Sequence, residues 1–216
     1  MADFDLVIFD WHGTLMDSVA QLARSVKAAA RDLAVPEPSD AEARDIIGLG
    51  LPEAMRVLFP QVPEAAREAL RQRYAHHFVA GVGGHSQPFE GAETLLTRLR
   101  GQGRQLAVAT GKTRLGLDRV LAHTGWHGHF AATRCADETA SKPDPRMLRE
   151  LLAELRVPVK RAVMIGDTTY DLAMAEAIGM PSIGVTYGVH DPERLRRYGP
   201  LALCDSIDAL AAQLGS

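Results

Sequence analysis

The stretch VIFDWHGTLMDS, residues 7–18, decides how the fold of this chain is interpreted. An apolar run ends at Asp10, and Gly13, Thr14 and a second acid, Asp17, follow it. A short run that is apolar throughout is typical of a parallel β-strand that is covered on both faces. Asp10 would lie at the carboxyl end of this strand, where open parallel sheets bind their ligands. The stretch therefore predicts an active-site strand with Asp10 at its tip.

Similar apolar runs recur along the chain, and amphipathic stretches separate them. The runs are LVIF (6–9), QLAVAT (105–110), AVMIG (162–166) and SIGVT (182–186). Helices are predicted over residues 90–103, 113–125, 144–155 and 168–179. Asp144 and Thr168 are their predicted N-caps, and glycines close several of them. Strands that alternate with helices predict an α/β fold with a doubly wound parallel sheet.

The segment 17–85 differs from the rest of the chain because it contains no convincing strand. Helices are predicted over residues 18–33, 39–47 and 62–81. The glycine-rich segment GVGGHSQP (81–88) is predicted to link this segment back to the sheet. We therefore predict an α/β core formed by residues 1–16 and 86–216, with an inserted all-helical cap at 17–85.

Composition narrows the classes of partner. Of the 216 residues, 46% are hydrophobic and 24% are charged, which is ordinary for a soluble globular protein. The formal net charge of -3 gives no support to a nucleic-acid or anionic-membrane partner, either of which would need a basic face. No targeting segment or membrane span is visible, so we predict a cytoplasmic monomer or homodimer. Cys135 and Cys204 are predicted to be isolated buried thiols.

Polar side chains follow the predicted strands at the edge where parallel sheets bind ligands. They are Asp10, Thr110 with Gly111 behind it, Asp167, Asp171 one helical turn later, and Lys142 just before a helix. Carboxylates from separate strands suit Mg²⁺, which prefers oxygen ligands and borrows phosphate oxygens from substrates. A hydroxyl and an ammonium suit phosphate. Asp10 would then be a metal ligand only, or both a ligand and a nucleophile.

Four segments, taken in order, resemble the motifs of the haloacid dehalogenase superfamily, and most of all its phosphoglycolate-phosphatase-like branch. These segments are FDWHGTLMDS (9–18), VATGK (108–112), SKPDP (141–145) and MIGDTTYD (164–171). The resemblance covers essentially the whole chain, with a helical cap between the first two motifs. It implies Mg²⁺-dependent hydrolysis of a small phosphorylated metabolite, a phosphate monoester, through an aspartyl-phosphate.

The resemblance also implies a role for each matching residue. Asp10 would attack phosphorus, while Thr110 beside Gly111, together with Lys142, would hold the transferring phosphoryl group. The metal would be held by the side chains of Asp10 and Asp167 and the backbone carbonyl of His12, with support from Asp171.

His12 departs from the pattern of this family. An aspartate normally stands there, where it protonates the leaving oxygen and then activates water against the aspartyl-phosphate. Histidine titrates near ~6.5 and is apt for acid–base work. Asp10, Asp167 and the phosphate would favour the imidazolium, and Mg²⁺ would oppose it. We expect His12 to allow formation of the aspartyl-phosphate but to slow its hydrolysis.

The cap is expected to set the substrate. Arg44 and the loop GLGLPE (48–53) are candidates for facing the substrate, and Arg44 would bind a substrate carboxylate. A solvated helix charge explains Arg44 equally well. Lys112 and Arg114, near the edge of the sheet, are interpreted as solvated.

Three alternatives remain open. A dehalogenase of the same fold needs no metal, and the pair of Asp167 and Asp171 argues against it. A phosphonoacetaldehyde hydrolase needs a cap lysine for a Schiff base, and the cap offers only Lys27. The protein would instead be a phosphate-ester binder with low turnover if His12 has removed the acid–base function.

Overall fold

The computed structural model describes residues 4–81 and 86–215, and a parallel sheet forms its centre. The strands are β1 (Leu6–Phe9), β2 (Met16–Asp17), β3 (Gln87–Pro88), β4 (Gln105–Thr110), β5 (Ala132–Cys135), β6 (Ala162–Gly166), β7 (Ser182–Val185) and β8 (Leu203–Cys204). Six of them form one sheet in the order β5-β4-β1-β6-β7-β8, with every neighbouring pair parallel. The short strands β2 and β3 pair antiparallel to each other. The predicted α/β fold with a parallel sheet is confirmed.

The helices fall into an uninterrupted group and a group that alternates with the strands. The first group is α1 (Val19–Asp32), α2 (Asp40–Asp45), α3 (Leu51–Leu58) and α4 (Glu64–Val79). The second is α5 (Ala92–Gly101), α6 (Arg114–Thr124), α7 (Arg146–Leu155), α8 (Thr169–Glu176), α9 (Pro192–Arg196) and α10 (Ile207–Leu214). The division into a core and a cap at residues 16/17 and 85/86 stays a prediction. The predicted linker 81–88 lies partly outside the described residues, since 82–85 are not described.

The central strand shows why its sequence is apolar throughout. Val7 and Phe9 point into one hydrophobic cluster, and Leu6 and Ile8 point into another on the opposite face of the sheet. All four side chains are buried. A strand with cores on both faces cannot alternate apolar and polar residues. This double packing holds the end of β1, and with it Asp10, in a fixed position.

Two of the strands that the sequence does not predict lie at the edges of the six-stranded sheet, and the other two, β2 and β3, form the separate pair. β5 and β8 are the two outermost strands. In β5, Thr133 and Arg134 are half-exposed, so the strand lacks the continuous apolar run of β1. Strand β7 ends at Val185, one residue before the predicted end. The sequence pattern therefore identifies the buried centre of the sheet and misses its margins.

Two local predictions about helices are corrected. The segment 48–53 is only partly a loop, because α3 begins at Leu51 after the N-cap Gly50, with Pro52 in its first turn. The prediction of Asp144 as the N-cap of α7 is wrong. That helix begins after Pro145, and Asp144 accepts a hydrogen bond from the backbone N–H of Arg146 at 2.9 Å.

Other predictions about individual residues are confirmed. Thr168 is the N-cap of α8, and Gly125 ends α6 in the left-handed conformation with φ of 73°. Cys135 and Cys204 are buried and free. Among the described residues, no helix combines the length and apolar character that a membrane crossing requires.

Candidate active site

Three carboxylates meet at the carboxyl edge of the sheet. Asp10 follows β1, Asp167 follows β6, and Asp171 lies in the first turn of α8. Each offers an oxygen atom, and these atoms all lie within 4.8 Å of one another. All three side chains are buried. We call these residues the carboxylate cluster.

Lys142 is the cation that the structure places against this cluster. Its Nζ donates hydrogen bonds to Asp10 Oδ1 and, at 2.6 Å, to Asp171 Oδ1. Its side chain is buried as completely as theirs. Burial opposes the ammonium form, but the two carboxylates outweigh it and raise the pKa of Lys142. The lysine therefore stays charged and brings together a residue after β1 and a residue of α8.

Asp10 has one oxygen engaged and one free. Burial raises the pKa of Asp10 to about 6, although the charge on Lys142 favours the carboxylate. Its second oxygen, Oδ2, is buried and has no hydrogen-bond partner in the described ranges 4–81 and 86–215. An unpaired buried carboxylate oxygen is costly unless a cation or a substrate atom meets it.

Asp167 is held by contacts from two distant loops. Thr14 Oγ1 donates to its Oδ1 at 3.0 Å, and the backbone N–H of Val189 donates to its Oδ2 at 2.8 Å. Gly13, with φ of +78°, and Gly188 leave no room for a Cβ because the Asp167 carboxylate occupies that space. Burial, followed by the charges of the other two cluster members, raises the pKa of Asp167 well above its usual value.

Asp171 has a structural role as well as a place in the cluster. Its Oδ2 accepts hydrogen bonds from Thr168 Oγ1 at 2.7 Å and from the Thr168 N–H at 3.2 Å, forming a capping box at the start of α8. Its Oδ1 is left for Lys142. Asp171 therefore stabilises the start of α8 and also belongs to the carboxylate cluster.

The composition of this cluster fits a divalent cation. Within the described part of the chain, three buried carboxylates face one ammonium, and one carboxylate oxygen has no partner. Oxygen donors of this kind suit a hard cation. Such an ion would also relieve the repulsion that raises the pKa of Asp167.

Thr110 and Gly111 lie at the end of β4, as predicted. Thr110 is buried, and its Oγ1 accepts a hydrogen bond from the Lys112 N–H at 3.2 Å. A side chain on Gly111 would collide with the backbone carbonyls of Gly48 and Leu49. Gly111 therefore allows the turn between α2 and α3 to approach the sheet edge closely, a role that the sequence does not reveal.

His12 is the neutral imidazole in this arrangement. Its Nδ1 lies 2.5 Å from Ser18 Oγ, and Lys112 Nζ lies 3.0 Å from its Nε2. Because an ammonium group only donates, Nε2 is the acceptor and the ring proton is assigned to Nδ1. Burial and then the charges of Lys112 and Lys142 lower the pKa of His12 well below 6.5. Of the two ring forms considered from the sequence, the imidazolium is therefore disfavoured.

Lys112 is a site residue that sequence reasoning misses. The prediction of a solvated side chain is corrected, because Lys112 is half-buried and its Nζ lies 5.1 Å from the ring centroid of Phe78 on α4. Burial lowers the pKa of Lys112 to about 8. The position of Lys112, two residues after Thr110, indicates that it lies near the carboxyl edge of the sheet, but it does not indicate the contact with the Phe78 ring.

The helices α1–α4 contact the rest of the molecule close to this edge. Tyr170 Oη donates to the Asp45 carbonyl at 2.9 Å, and Arg194 pairs with the Asp45 carboxylate at 2.5 Å. The Gly50 N–H donates to Ser141 Oγ at 2.8 Å, next to Lys142. These contacts enclose a space between the helices and the carboxylate cluster.

That space is a cavity of about 690 Å³ that reaches Asp10, His12, Thr110 and Gly111. Arg44 lies exposed on α2 and is not among the residues that line the cavity. The structure thus brings the core candidates together and leaves Arg44 outside, so a contact between Arg44 and substrate stays a prediction.

Comparisons with known proteins agree with this geometry. The family model described as haloacid dehalogenase-like hydrolase matches residues 7–185. A relative named probable phosphatase IndB, from Dickeya dadantii (strain 3937), is 35% identical over 93% of this chain and 89% of its own length. A phosphoglycolate phosphatase from Agrobacterium fabrum (strain C58 / ATCC 33970) is 32% identical over 86% of this chain and 82% of its own.

Solved structures show the same architecture. The crystal structure of a predicted phosphatase from Clostridium acetobutylicum matches with a TM-score of 0.87 and 27% identity, covering 98% of each chain. The chain belongs to the haloacid dehalogenase-like hydrolase family.

Proposed function

We propose that this protein is a Mg²⁺-dependent phosphatase that hydrolyses a phosphate monoester through an aspartyl-phosphate on Asp10. The observation that carries the proposal is the state of this carboxylate: Lys142 fixes Oδ1, while Oδ2 is buried without a partner among the residues that the structure describes. A nucleophilic oxygen that is oriented but not hydrogen-bonded is suited to attack phosphorus. The relatives named phosphatases support the same reaction class.

The reaction proceeds in two displacements. Asp10 Oδ2 supplies an electron pair to phosphorus, the bond from phosphorus to the alcohol oxygen breaks, and the alcohol leaves after taking up a proton. Water then attacks phosphorus, the bond to Asp10 breaks, and inorganic phosphate leaves with the carboxylate restored. Thr110, which lines the cavity with Asp10, and Lys142, which donates to Asp10, would contact the phosphoryl oxygens.

The carboxylate cluster is the proposed cation site, with the backbone carbonyl of His12 as a further ligand. Mg²⁺ held there would neutralise charge between the carboxylates and the incoming phosphate. Asp10 then needs only to present Oδ2, while Asp167 stays fixed by Thr14 and Val189.

The neutral state of His12 changes the expected slow step. A neutral ring is poorly suited to protonate a leaving alkoxide, and its Nε2 must first lose the hydrogen bond from Lys112 before it accepts a proton from water. We therefore propose that alkyl phosphates, whose leaving oxygen needs a proton, are limited by formation of the aspartyl-phosphate. Esters of acidic alcohols are limited less by this step, because an acidic alcohol leaves without taking up a proton.

A direct test is mass spectrometry of protein that is acid-quenched during turnover of 4-nitrophenyl phosphate with Mg²⁺, since that leaving group needs no proton. Phosphorylation of Asp10, with phosphate release lost in Asp10→Asn, is the expected result. Phosphate release by a protein whose Asp10 is never phosphorylated would contradict the covalent mechanism. Phosphate-ester binding without release would leave the low-turnover alternative in its place.

A second candidate function is favoured by one observation. Lys27, the cap lysine considered for a Schiff base, pairs with Glu37 and Asp40 and does not line the cavity. Lys112 does line it, with a pKa lowered to about 8 by burial. The neutral form of this lysine would add to a carbonyl carbon and expel water, forming the Schiff base that a phosphonoacetaldehyde hydrolase requires. Borohydride in the presence of a phosphonoaldehyde would attach the substrate to Lys112 if this candidate is right.

A further inference from the structure

The cavity beside Asp10 is much larger than a small metabolite needs. Its volume is about 690 Å³, within the roughly 300–1,000 Å³ of pockets that hold drug-sized ligands. A two-carbon acid such as glycolate would fill on the order of 100 Å³, if each heavy atom takes about the space of a water molecule. Most of the cavity is therefore large enough for a bulkier organic group attached to the phosphate.

The wall that faces this group is apolar. The side contributed by α1–α4 and their connections includes Leu22, Val26, Ile47, Leu49, Tyr74 and Phe78. Tyr74 and Phe78 lie one helical turn apart on α4 with nearly parallel rings, 6.0 Å between centroids and 20° between planes. Such a surface would bind an aromatic or branched aliphatic group by excluding water from it.

Two polar side chains of the lining, Gln21 and Lys112, are already engaged. Gln21 donates to the Phe78 carbonyl at 2.9 Å and accepts from Ser86 at 2.5 Å, so it holds α1, α4 and the β3 side together. Lys112 contacts His12 and the Phe78 ring. The remaining cation, Arg119, is exposed on α6. Along the described part of the lining, no arginine of α1–α4 is placed to read a substrate carboxylate.

The exposed part of the lining carries two large apolar side chains beside the polar Gln87, Thr113, Arg119 and His123. Val79 on α4 is 54% exposed and Leu115 on α6 is 70% exposed, and both line the cavity. A single exposed leucine is unremarkable in a soluble protein, but two large apolar side chains at the opening of an apolar cavity indicate a ligand that covers them.

We propose that the enzyme prefers phosphate monoesters of a bulky, largely apolar alcohol over phosphate esters of small carboxylic acids, a preference that rests on the phosphatase function proposed above. Continuity with Asp10 and Thr110 requires that the occupant carry the phosphate. The apolar wall, its aromatic pair and the exposed Val79 and Leu115 favour an apolar group at its other end.

The test compares esters whose leaving groups are all primary alcohols. Phosphate release is measured for 2-(1-naphthyl)ethyl phosphate, ethyl phosphate and phosphoglycolate, each with Mg²⁺. We expect kcat/KM for the naphthyl ester to exceed that for ethyl phosphate on the order of 100-fold, since burial of a bicyclic ring contributes on this scale. Calorimetry with the matching phosphonates, which cannot be hydrolysed, measures the same preference without turnover.

Variants on one helix locate the preference. Ala75 is exposed on α4 and lines the cavity, whereas Ala65 is exposed on the same helix and does not. Ala75→Trp should lower the ratio of naphthyl to ethyl kcat/KM about 10-fold or more by filling the cavity, and Ala65→Trp should keep the ratio. Leu115→Asp against Leu201→Asp, at two exposed leucines of which only Leu115 lines the cavity, repeats the comparison should Ala75→Trp not fold.

The outcomes separate the two proposals. A naphthyl-to-ethyl ratio near one, or a preference for phosphoglycolate, overturns the substrate class while upholding the phosphatase. Tight naphthyl phosphonate binding without any phosphate release upholds the ligand class and overturns the phosphatase. Equal loss in Ala75→Trp and Ala65→Trp removes the cavity as the cause, and absence of both binding and release overturns both proposals.

Discussion

The two sides of the cavity differ in how their side chains are held. On the sheet side, the carboxylate cluster and Lys142 are fully buried and hydrogen-bonded to one another or to distant loops. On the helical side, Tyr74 and Phe78 are half-buried and face the cavity. Removing one partner of a buried ion pair costs about 3–5 kcal/mol. Removing a methylene from an apolar wall changes ligand discrimination by about 1–3 kcal/mol.

This difference indicates on which side of the cavity substitutions are better tolerated. Lys142, Asp10 and Asp171 depend on each other's charge, so a change at any of them disturbs the whole set. The apolar wall contributes many small, separable contacts. We expect changes on the sheet side to act on every substrate alike, and changes on the helical side to act on the relation between substrates.

The largest expected effect is that of Asp10→Asn, which probes the sheet side. The amide is nearly isosteric but is not an anionic nucleophile, so turnover should fall on the order of 10⁴-fold or more for every ester. Phosphate release and far-UV circular dichroism measure rate and fold. Asp17→Asn, at the exposed second acid of the same stretch, is the matched control and should retain activity. Retained wild-type rate in Asp10→Asn would exclude the covalent mechanism.

Removal of divalent cations should also act on every substrate. EDTA is expected to abolish turnover, and Mg²⁺ to restore it. Because burial raises the pKa of Asp10 and Asp167, their ionised forms are unfavourable without a cation. Mg²⁺ at about 100 times its Kd should therefore raise Tm by roughly 5–10 °C.

The control for this measurement is NaCl at equal ionic strength, and Asp167→Asn should lose the response of Tm to Mg²⁺. Full activity in EDTA would revive the dehalogenase alternative.

His12→Asp should raise activity, and by different amounts for different leaving groups. Restoring a carboxylate that transfers protons is expected to accelerate ethyl phosphate hydrolysis by about 10²-fold or more, within the range of a general acid–base group. The gain on 4-nitrophenyl phosphate should be smaller, because that leaving group needs no proton. His12→Asn, which transfers no proton, should show no gain. An unchanged or lower rate in His12→Asp would identify histidine as the adapted acid–base residue.

The smallest expected effect is that of Arg44→Ala, on the helical side but outside the cavity lining. The exposed position of Arg44 leads us to expect less than about a 2-fold change in KM for phosphoglycolate and for ethyl phosphate alike, as for most exposed substitutions. Steady-state kinetics on both esters provides the measurement. A rise in KM confined to the carboxylated ester would place Arg44 at the substrate, as its side-chain chemistry alone suggests.

The sequence by itself determined the centre of the sheet and the candidates at its edge. Strands β1, β4, β6 and β7 are apolar because both faces are covered, and this property is local and visible. Asp10 and Asp167 could be found because each directly follows such a strand, and Thr110 because it is the last residue of one. The order of the motifs indicated the family without any knowledge of contacts.

Only the tertiary structure decided the partners of these residues. Lys112 reaches His12 from 100 positions away, and Val189 fixes Asp167 from 22. The edge strands β5 and β8 were not predicted, because one edge of each has no neighbouring strand and such strands tolerate polar residues. Whether the cavity lining is apolar or polar depends on which faces of α1 and α4 are turned toward α6. Periodicity reveals which residues share a face, but it does not reveal what that face packs against.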